Sequence, residues 1–155
     1  MNRYAVACAF LLAMIAPLAG AQNCKPVVGS FQAVLVPPGQ EHCPADPNAF
    51  CTAGRVWGGV QGTYRFTMSA AVPSASFGGV PTILFFTGQS TVLLKSGAQI
   101  VGTDTGSIDL PPGQGGFASL ITFDQGATGQ IQLRGAFNAA EATTSGDYIG
   151  ELCTP

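Results

Sequence analysis

The chain has 155 residues, of which only 9% are charged, and six basic residues stand against eight acidic ones. The basic residues are scattered along the chain, whereas a nucleic-acid binder needs clustered Lys and Arg. Composition and charge therefore exclude a nucleic-acid partner.

The N-terminus predicts a secretory signal peptide over residues 1–21. A single positive charge at Arg3 precedes an uncharged apolar run that Pro17 breaks, and Ala19 and Ala21 are the small residues that a signal peptidase reads. The run is too short for a membrane anchor, which needs about 20 apolar residues. We expect cleavage after Ala21, a secreted or periplasmic location, and one mature domain over residues 22–155.

Four cysteines remain after that cleavage and predict two disulfides, since an even number is typical of exported domains. Sequence alone leaves their pairing open. We favour Cys43 with Cys51, which bracket a turn-rich segment, and Cys24 with Cys153, which lie near opposite ends of the mature chain. The four sulfurs lack paired C-x-x-C spacing, so we predict no metal site.

Strands are predicted where apolar and polar residues alternate, or where β-branched and aromatic residues cluster between Gly, Pro and Asp. In chain order they cover residues 27–36, 55–68, 82–94, 99–110, 117–123, 129–137 and 147–152. Gly88 interrupts the third of them, and a glycine inside a strand marks a bulge or bend. We predict an all-β fold, a single antiparallel β-barrel of about eight strands, with a β-sandwich as the alternative.

The sequence contains no recognisable catalytic site and no cofactor motif. His42 is the only histidine and lacks an accompanying G-x-S-x-G motif, which favours a solvated loop residue. The glycine-rich stretch 113–116 lacks the GK[ST] ending and the following helix of a phosphate-binding loop.

The acidic residues do not form an obvious catalytic pair. Asp104 and Asp109 are separated by an odd number of residues, so a regular strand places them on opposite faces. Asp147 and Glu151 share a face, which their neighbours predict to be the outer one.

Several short signatures, taken in order, resemble the allene oxide cyclase and dirigent group of β-barrels, in its bacterial secreted branch. They are GGVQGTYRF (58–66), FFTG (85–88), TDTG (103–106), GATGQI (126–131) with GAF (135–137), and GDYIGELC (146–153). The resemblance implies an eight-stranded antiparallel barrel with an apolar interior, and a few members act on or orient small hydrophobic molecules. Dirigent-type sites use acids in the cavity, which here implies Asp104 or Asp109, and the polar cluster of the plant cyclases has no matching positions.

The leading functional hypothesis is a secreted, non-enzymatic barrel that binds a small apolar molecule in or at its mouth. Candidate ligand contacts are Tyr64, Arg65, Phe66, Phe85 and Asp104. Phenylalanines at 66, 85, 86, 117, 123 and 137 are able to fill the lumen instead.

Two alternatives remain open. An isomerase or cyclase of the same barrel group needs Arg65, Asp104 or Asp109 to face inward with a perturbed pKa. A structural or adhesion subunit of the cell envelope, of immunoglobulin-like form, needs two stacked sheets.

Overall fold

A computed structural model describes residues 23–110 and 114–154, so the predicted signal peptide lies outside the described residues. Its strands are β1 (Asn23–Val36), β2 (Cys51–Gly58), β3 (Gly62–Pro73), β4 (Ile83–Leu94), β5 (Gln99–Asp109), β6 (Gln114–Gln125), β7 (Thr128–Asn138) and β8 (Thr143–Thr154). A short 3₁₀ helix, Ser74–Phe77, lies between β3 and β4. Across the described ranges, no helix has the length and hydropathy to cross a membrane.

The eight strands form one closed barrel, in which each strand pairs antiparallel with the next and β8 pairs with β1. The closing pair extends from Asn23 opposite Thr154 to Val34 opposite Thr143. Because the barrel closes, its sheet has no edge strand. The predicted barrel is confirmed and the β-sandwich alternative is wrong. An immunoglobulin-like adhesion subunit requires two stacked sheets, whereas the described strands form one closed sheet.

The strand predicted over residues 55–68 is a hairpin of β2 and β3. β2 ends at Gly58 and β3 begins at Gly62. Gly58 has a φ of 107°, a backbone conformation that favours glycine. The alternation of apolar and polar residues did not reveal this turn, because Val60 lies between the two strands and is buried as an inward-facing strand residue would be.

β4 continues without interruption through Gly88, where the sequence predicted a bulge or bend. The shift of register lies in the partner strand β3, between Met68 and Ala70. A Cβ on Gly88 would stand 2.5 Å from Cε2 of the Phe66 ring. The glycine therefore makes room for an inward aromatic ring, and the bulge belongs to the strand beside it.

One end of the barrel, which we call the closed end, carries the short turns after β2, β4 and β6. Its interior is filled by aliphatic side chains that include Ile100, Ile121, Ile131 and Leu133. The Tyr148 hydroxyl accepts the Val60 N–H at 2.7 Å. The same hydroxyl lies 3.1 Å from the Trp57 carbonyl oxygen, to which it can donate. This tyrosine ties the β2–β3 turn across the end of the barrel.

Both predicted disulfides are confirmed. Cys24 and Cys153 face each other across β1 and β8 at the closed end, with Cα atoms 3.8 Å apart. Cys43 and Cys51 join the β1–β2 loop to the start of β2 at the opposite end, with Cα atoms 5.7 Å apart. We call that opposite end the mouth, because the longer connections after β1 and β3 lie there.

Candidate functional site

A cavity of about 50 Å³ opens inside the mouth half of the barrel. Seven of its thirteen lining residues are aromatic: Phe31, Phe50, Tyr64, Phe66, Phe86, Phe117 and Phe137. Phe50, Met68 and Phe86 are only partly buried, so solvent reaches this part of the lining. Pockets for drug-sized ligands measure about 300 Å³ or more. The aromatic side chains thus fill most of this half and leave room for a ligand of a few heavy atoms.

Among the described residues that line this cavity, Asp104 is the only Asp, Glu, Lys, Arg or His. It lies midway along β5 and is only 2% exposed. Gly88 faces it across the β4–β5 pair, so no side chain from that position fills the space beside the carboxyl group. Asp104 points into the barrel, because it pairs across β5 and β6 with Ile121, which is buried in the interior. Gly102 and Gly106 lie on the same inward face of β5, two residues on either side of it.

Asp104 ends a chain of buried hydrogen bonds. Its Oδ2 accepts the Ser90 hydroxyl at 2.8 Å, and the Ser90 Oγ lies 3.2 Å from the Tyr64 hydroxyl. When the carboxyl group is ionised, the serine proton is directed to it, and Tyr64 is then the donor to Ser90. The other carboxyl oxygen, Oδ1, is buried and has no hydrogen-bond partner in the described part of the chain.

The surroundings of Asp104 oppose its ionisation. Burial raises the pKa of its carboxyl group, and the hydroxyl groups of Ser90 and Ser119 offset that rise only in part. Ser119 is near enough to favour the carboxylate, yet it completes no hydrogen bond to Oδ1. Burial also raises the pKa of Tyr64, and the charge of Asp104 raises it further. The cavity therefore holds a carboxyl group that keeps its proton to higher pH than an exposed one.

Three of the five predicted ligand contacts line the cavity: Tyr64, Phe66 and Asp104. Arg65 and Phe85 are exposed on the outer surface instead. Each of these two is adjacent in sequence to an inward aromatic residue, and successive strand residues point to opposite faces. Strand alternation therefore places Arg65 and Phe85 outside the cavity, contrary to the prediction.

The structure also shows where the other residues considered in the sequence analysis lie. Asp109 lies on the face of β5 opposite Asp104, as predicted. Phe137 lines the cavity, whereas Phe123 is buried in the closed half of the interior. Asp147 and Glu151 are both exposed on the outer face, as predicted.

His42 is not the solvated residue that the sequence predicted. Its side chain is 14% exposed, and its Nε2 lies 3.2 Å from the Phe66 carbonyl oxygen in β3. The neighbouring disulfide of Cys43 explains this position, because it holds the loop against the barrel. His42 does not line the cavity.

Sequence reasoning missed Ser90, Ser119 and Phe50 as lining or hydrogen-bonding residues. Ser90 carried one usable signal, because it is two residues from the inward Val92 and therefore shares its face. Phe50 carried none, since its place over the mouth depends on how the disulfide-closed loop folds back. The loop is tied to β3 by the Met68 N–H, which donates to the Phe50 carbonyl oxygen at 2.9 Å.

Possible metal ligands come together at one place in the described residues, where Cys24, Cys153 and Glu151 have ligand atoms within 4.8 Å of one another. The two cysteines form a disulfide, so neither supplies the thiolate that binds a metal.

Comparison of the chain with protein-family models, with curated proteins and with solved structures found no match. The resemblance to the allene oxide cyclase and dirigent group therefore stays a prediction from the sequence. What the geometry defines is a closed eight-stranded barrel with a small aromatic cavity and one buried acid.

Proposed function

We propose that this protein is an exported, non-enzymatic barrel that binds a small, compact molecule in the cavity at its mouth. Two disulfides support an oxidising compartment outside the cytoplasm. The predicted signal peptide supports export in the same way.

The observation that carries the proposal is the unpartnered Oδ1 of Asp104 in a mostly aromatic cavity. Buried polar atoms are nearly always hydrogen-bonded, and leaving one without a partner costs about 1–3 kcal/mol. A molecule that pairs with Oδ1 recovers this cost when it binds. A predominantly apolar cavity with a small number of polar groups is also the usual form of a small-molecule site.

The size of the cavity limits what this site accepts. At about 50 Å³, it holds an apolar body of a few carbon atoms together with one polar group directed at Asp104. A longer molecule has to leave part of its body at the mouth, between Phe50 and Met68, which are partly exposed.

Met68 offers a direct test, because it is the only methionine after residue 21 and it lines the cavity. Its ¹³C-labelled methyl group gives one NMR signal in the mature protein. We expect this signal to shift saturably when compact alcohols, ketones and amines of about five heavy atoms are titrated, since probes of that size suit the cavity. The indole N–H of Trp57, the single tryptophan, lies on the outer surface and serves as the control that should not move.

A Met68 signal that stays in place with every member of this panel, while the Trp57 signal still reports a folded protein, would contradict the proposal. Equal shifts of both signals would contradict it too, because they indicate nonspecific association with the surface.

One observation favours an isomerase or cyclase as a second candidate. Asp104 is a buried carboxyl group with a raised pKa that faces a cavity, and such a group can donate a proton to a bound substrate. The other two residues considered for this role, Arg65 and Asp109, lie outside the cavity. The test is to incubate the protein with small epoxides, whose rings open on protonation. Product that forms with the wild type and not with Asp104→Asn supports catalysis, and the absence of any product favours binding alone.

A further inference from the structure

The ionisable side chains that line the described cavity are acidic, and none of them is basic. Asp104 and Tyr64 line it, and no lysine, arginine or histidine of the described chain does so. The groups that face the Asp104 carboxyl are neutral hydroxyls, namely Tyr64 from β3, Ser90 from β4 and Ser119 from β6. The carboxylate therefore has no positive partner within the barrel.

The walls of the cavity have the electrostatic character that suits a cation. Phe66 and Phe86 meet edge to face with ring centroids 5.5 Å apart, and Phe31 and Phe117 do so at 5.8 Å. In an edge-to-face pair, at least one ring keeps a π face free of its partner. Aromatic faces carry partial negative charge and attract ammonium groups within about 6 Å of the ring centroid.

We propose that the ligand of this cavity is a compact organic cation, an alkylamine or alkylammonium whose positive nitrogen lies against Oδ1 of Asp104 and whose alkyl groups contact the aromatic walls. The proposal rests on the function proposed above and names the chemical class of its ligand.

Charge decides between this ligand and a neutral one. A neutral alcohol can donate one hydrogen bond to Oδ1, but once the carboxyl group is ionised the alcohol leaves its negative charge without compensation in a poorly solvated interior. An ammonium group supplies the hydrogen bond and the opposite charge together. No Lys or Arg side chain lines the described cavity to compete for the carboxylate.

The matched probes are tert-butylammonium and tert-butanol, which have the same shape and number of heavy atoms and differ in the polar group. The measurement is the Met68 methyl signal of the disulfide-bonded protein, titrated with each probe. We expect tert-butylammonium to bind at least about tenfold more tightly at neutral pH, as a charge-assisted hydrogen bond is roughly twice as strong as a neutral one.

Two variants locate the charge that matters. Asp104→Asn keeps the shape of the side chain and should weaken tert-butylammonium binding about 30-fold or more, as expected when one partner of a buried ion pair is removed. Asp109→Asn is the matched control, because Asp109 also has a buried Oδ1 without a partner yet faces away from the cavity on the same strand. It should leave the affinity unchanged.

The pH dependence gives an independent readout. The amine stays protonated below about pH 9, as a lysine side chain does, so any change in affinity reports a group of the protein. We expect affinity for tert-butylammonium to rise with pH above the ordinary carboxyl pKa of about 3.9, as Asp104 loses its proton, and to be flat in Asp104→Asn.

The outcomes separate this inference from the proposed function. Tighter binding of tert-butylammonium that requires Asp104 supports both. Equal or tighter binding of tert-butanol, with the same shift of the Met68 signal, overturns the cation inference and keeps the cavity as a binding site. Tight ammonium binding that Asp104→Asn leaves intact overturns the cation inference as well. A Met68 signal that responds to neither probe overturns the inference, and a panel without any binder overturns the proposed function.

Discussion

At the scale of single residues, Asp104 links the site to the stability of the fold. The unfolded chain loses the Asp104 proton near its ordinary pKa of about 3.9, whereas burial makes the native state keep it to higher pH. Between the two pKa values the native state binds more protons than the unfolded state, so this group lowers the free energy of unfolding as pH rises. Asp104→Asn has no such titration.

We therefore expect the Tm of Asp104→Asn, relative to wild type, to rise with pH from about pH 4 until the raised pKa of Asp104 is passed, and then to level off. Thermal unfolding of both proteins across that range is the measurement. A difference in Tm that stays constant with pH would mean that Asp104 ionises as readily in the barrel as in the unfolded chain.

Tyr148 is the corresponding residue at the closed end. Tyr148→Phe removes the hydroxyl that accepts the buried Val60 N–H at 2.7 Å. An unsatisfied buried amide costs about 1–3 kcal/mol, so we expect a loss of that size in the free energy of unfolding by denaturant titration. Tyr64→Phe is the comparison and should lower the free energy of unfolding by less, because Ser90 keeps its hydrogen bond to Asp104 in that variant. A larger loss in Tyr64→Phe than in Tyr148→Phe would contradict this assignment.

At the scale of elements, Gly88 shows how one strand accommodates its neighbour. A methyl group there would collide with the Phe66 ring and with the carbonyl oxygen of Thr67, which is backbone and cannot turn aside. We expect Gly88→Ala to lower the free energy of unfolding by about 1–3 kcal/mol, as overpacked cores do. Gly116→Ala in β6 is the control, since the added methyl group would come no closer than 3.8 Å to the Gly135 carbonyl oxygen.

The Gly116→Ala control should change stability by no more than about 0.5 kcal/mol. Equal effects of the two alanines would mean that the loss comes from the backbone preferences of glycine and not from contact with β3. Denaturant unfolding of the two variants in parallel decides between these explanations.

At the scale of the whole molecule, the two disulfides constrain segments of very different length. Cys24 and Cys153 are 129 residues apart in sequence, and Cys43 and Cys51 are eight apart. In the loop-entropy account a cross-link stabilises more when it closes a longer loop, by nearly 5 against about 2.5 kcal/mol here.

The double variant with both Cys24 and Cys153 changed to Ser should therefore lose about 2–5 kcal/mol of unfolding free energy and melt earlier than the matched double variant of Cys43 and Cys51. Scanning calorimetry of the oxidised proteins compares them. The reverse order of melting would mean that the β1–β8 ladder closes the barrel equally well without its bridge, and that the mouth loop contributes more than its length predicts.

Much of the architecture follows from local pattern. Polar and apolar residues alternate along the strand predicted over residues 129–137, and the structure buries Ile131, Leu133 and Phe137 while exposing Gln130 and Gln132. Such a period-two pattern assigns faces within one strand because successive side chains point in opposite directions. It did not locate the turn at Gly58, because Val60 lies beyond the end of β2 and is nevertheless buried.

The sequence by itself determined the all-β fold and the approximate number of strands, since both depend on residue type and spacing along the chain. It favoured one pairing of the cysteines, which the structure then established. Only the tertiary structure decided that Asp104 lies opposite Gly88 and bonds to Ser90. That juxtaposition depends on the register between β4 and β5, and register is a property of two strands that no pattern within either one specifies.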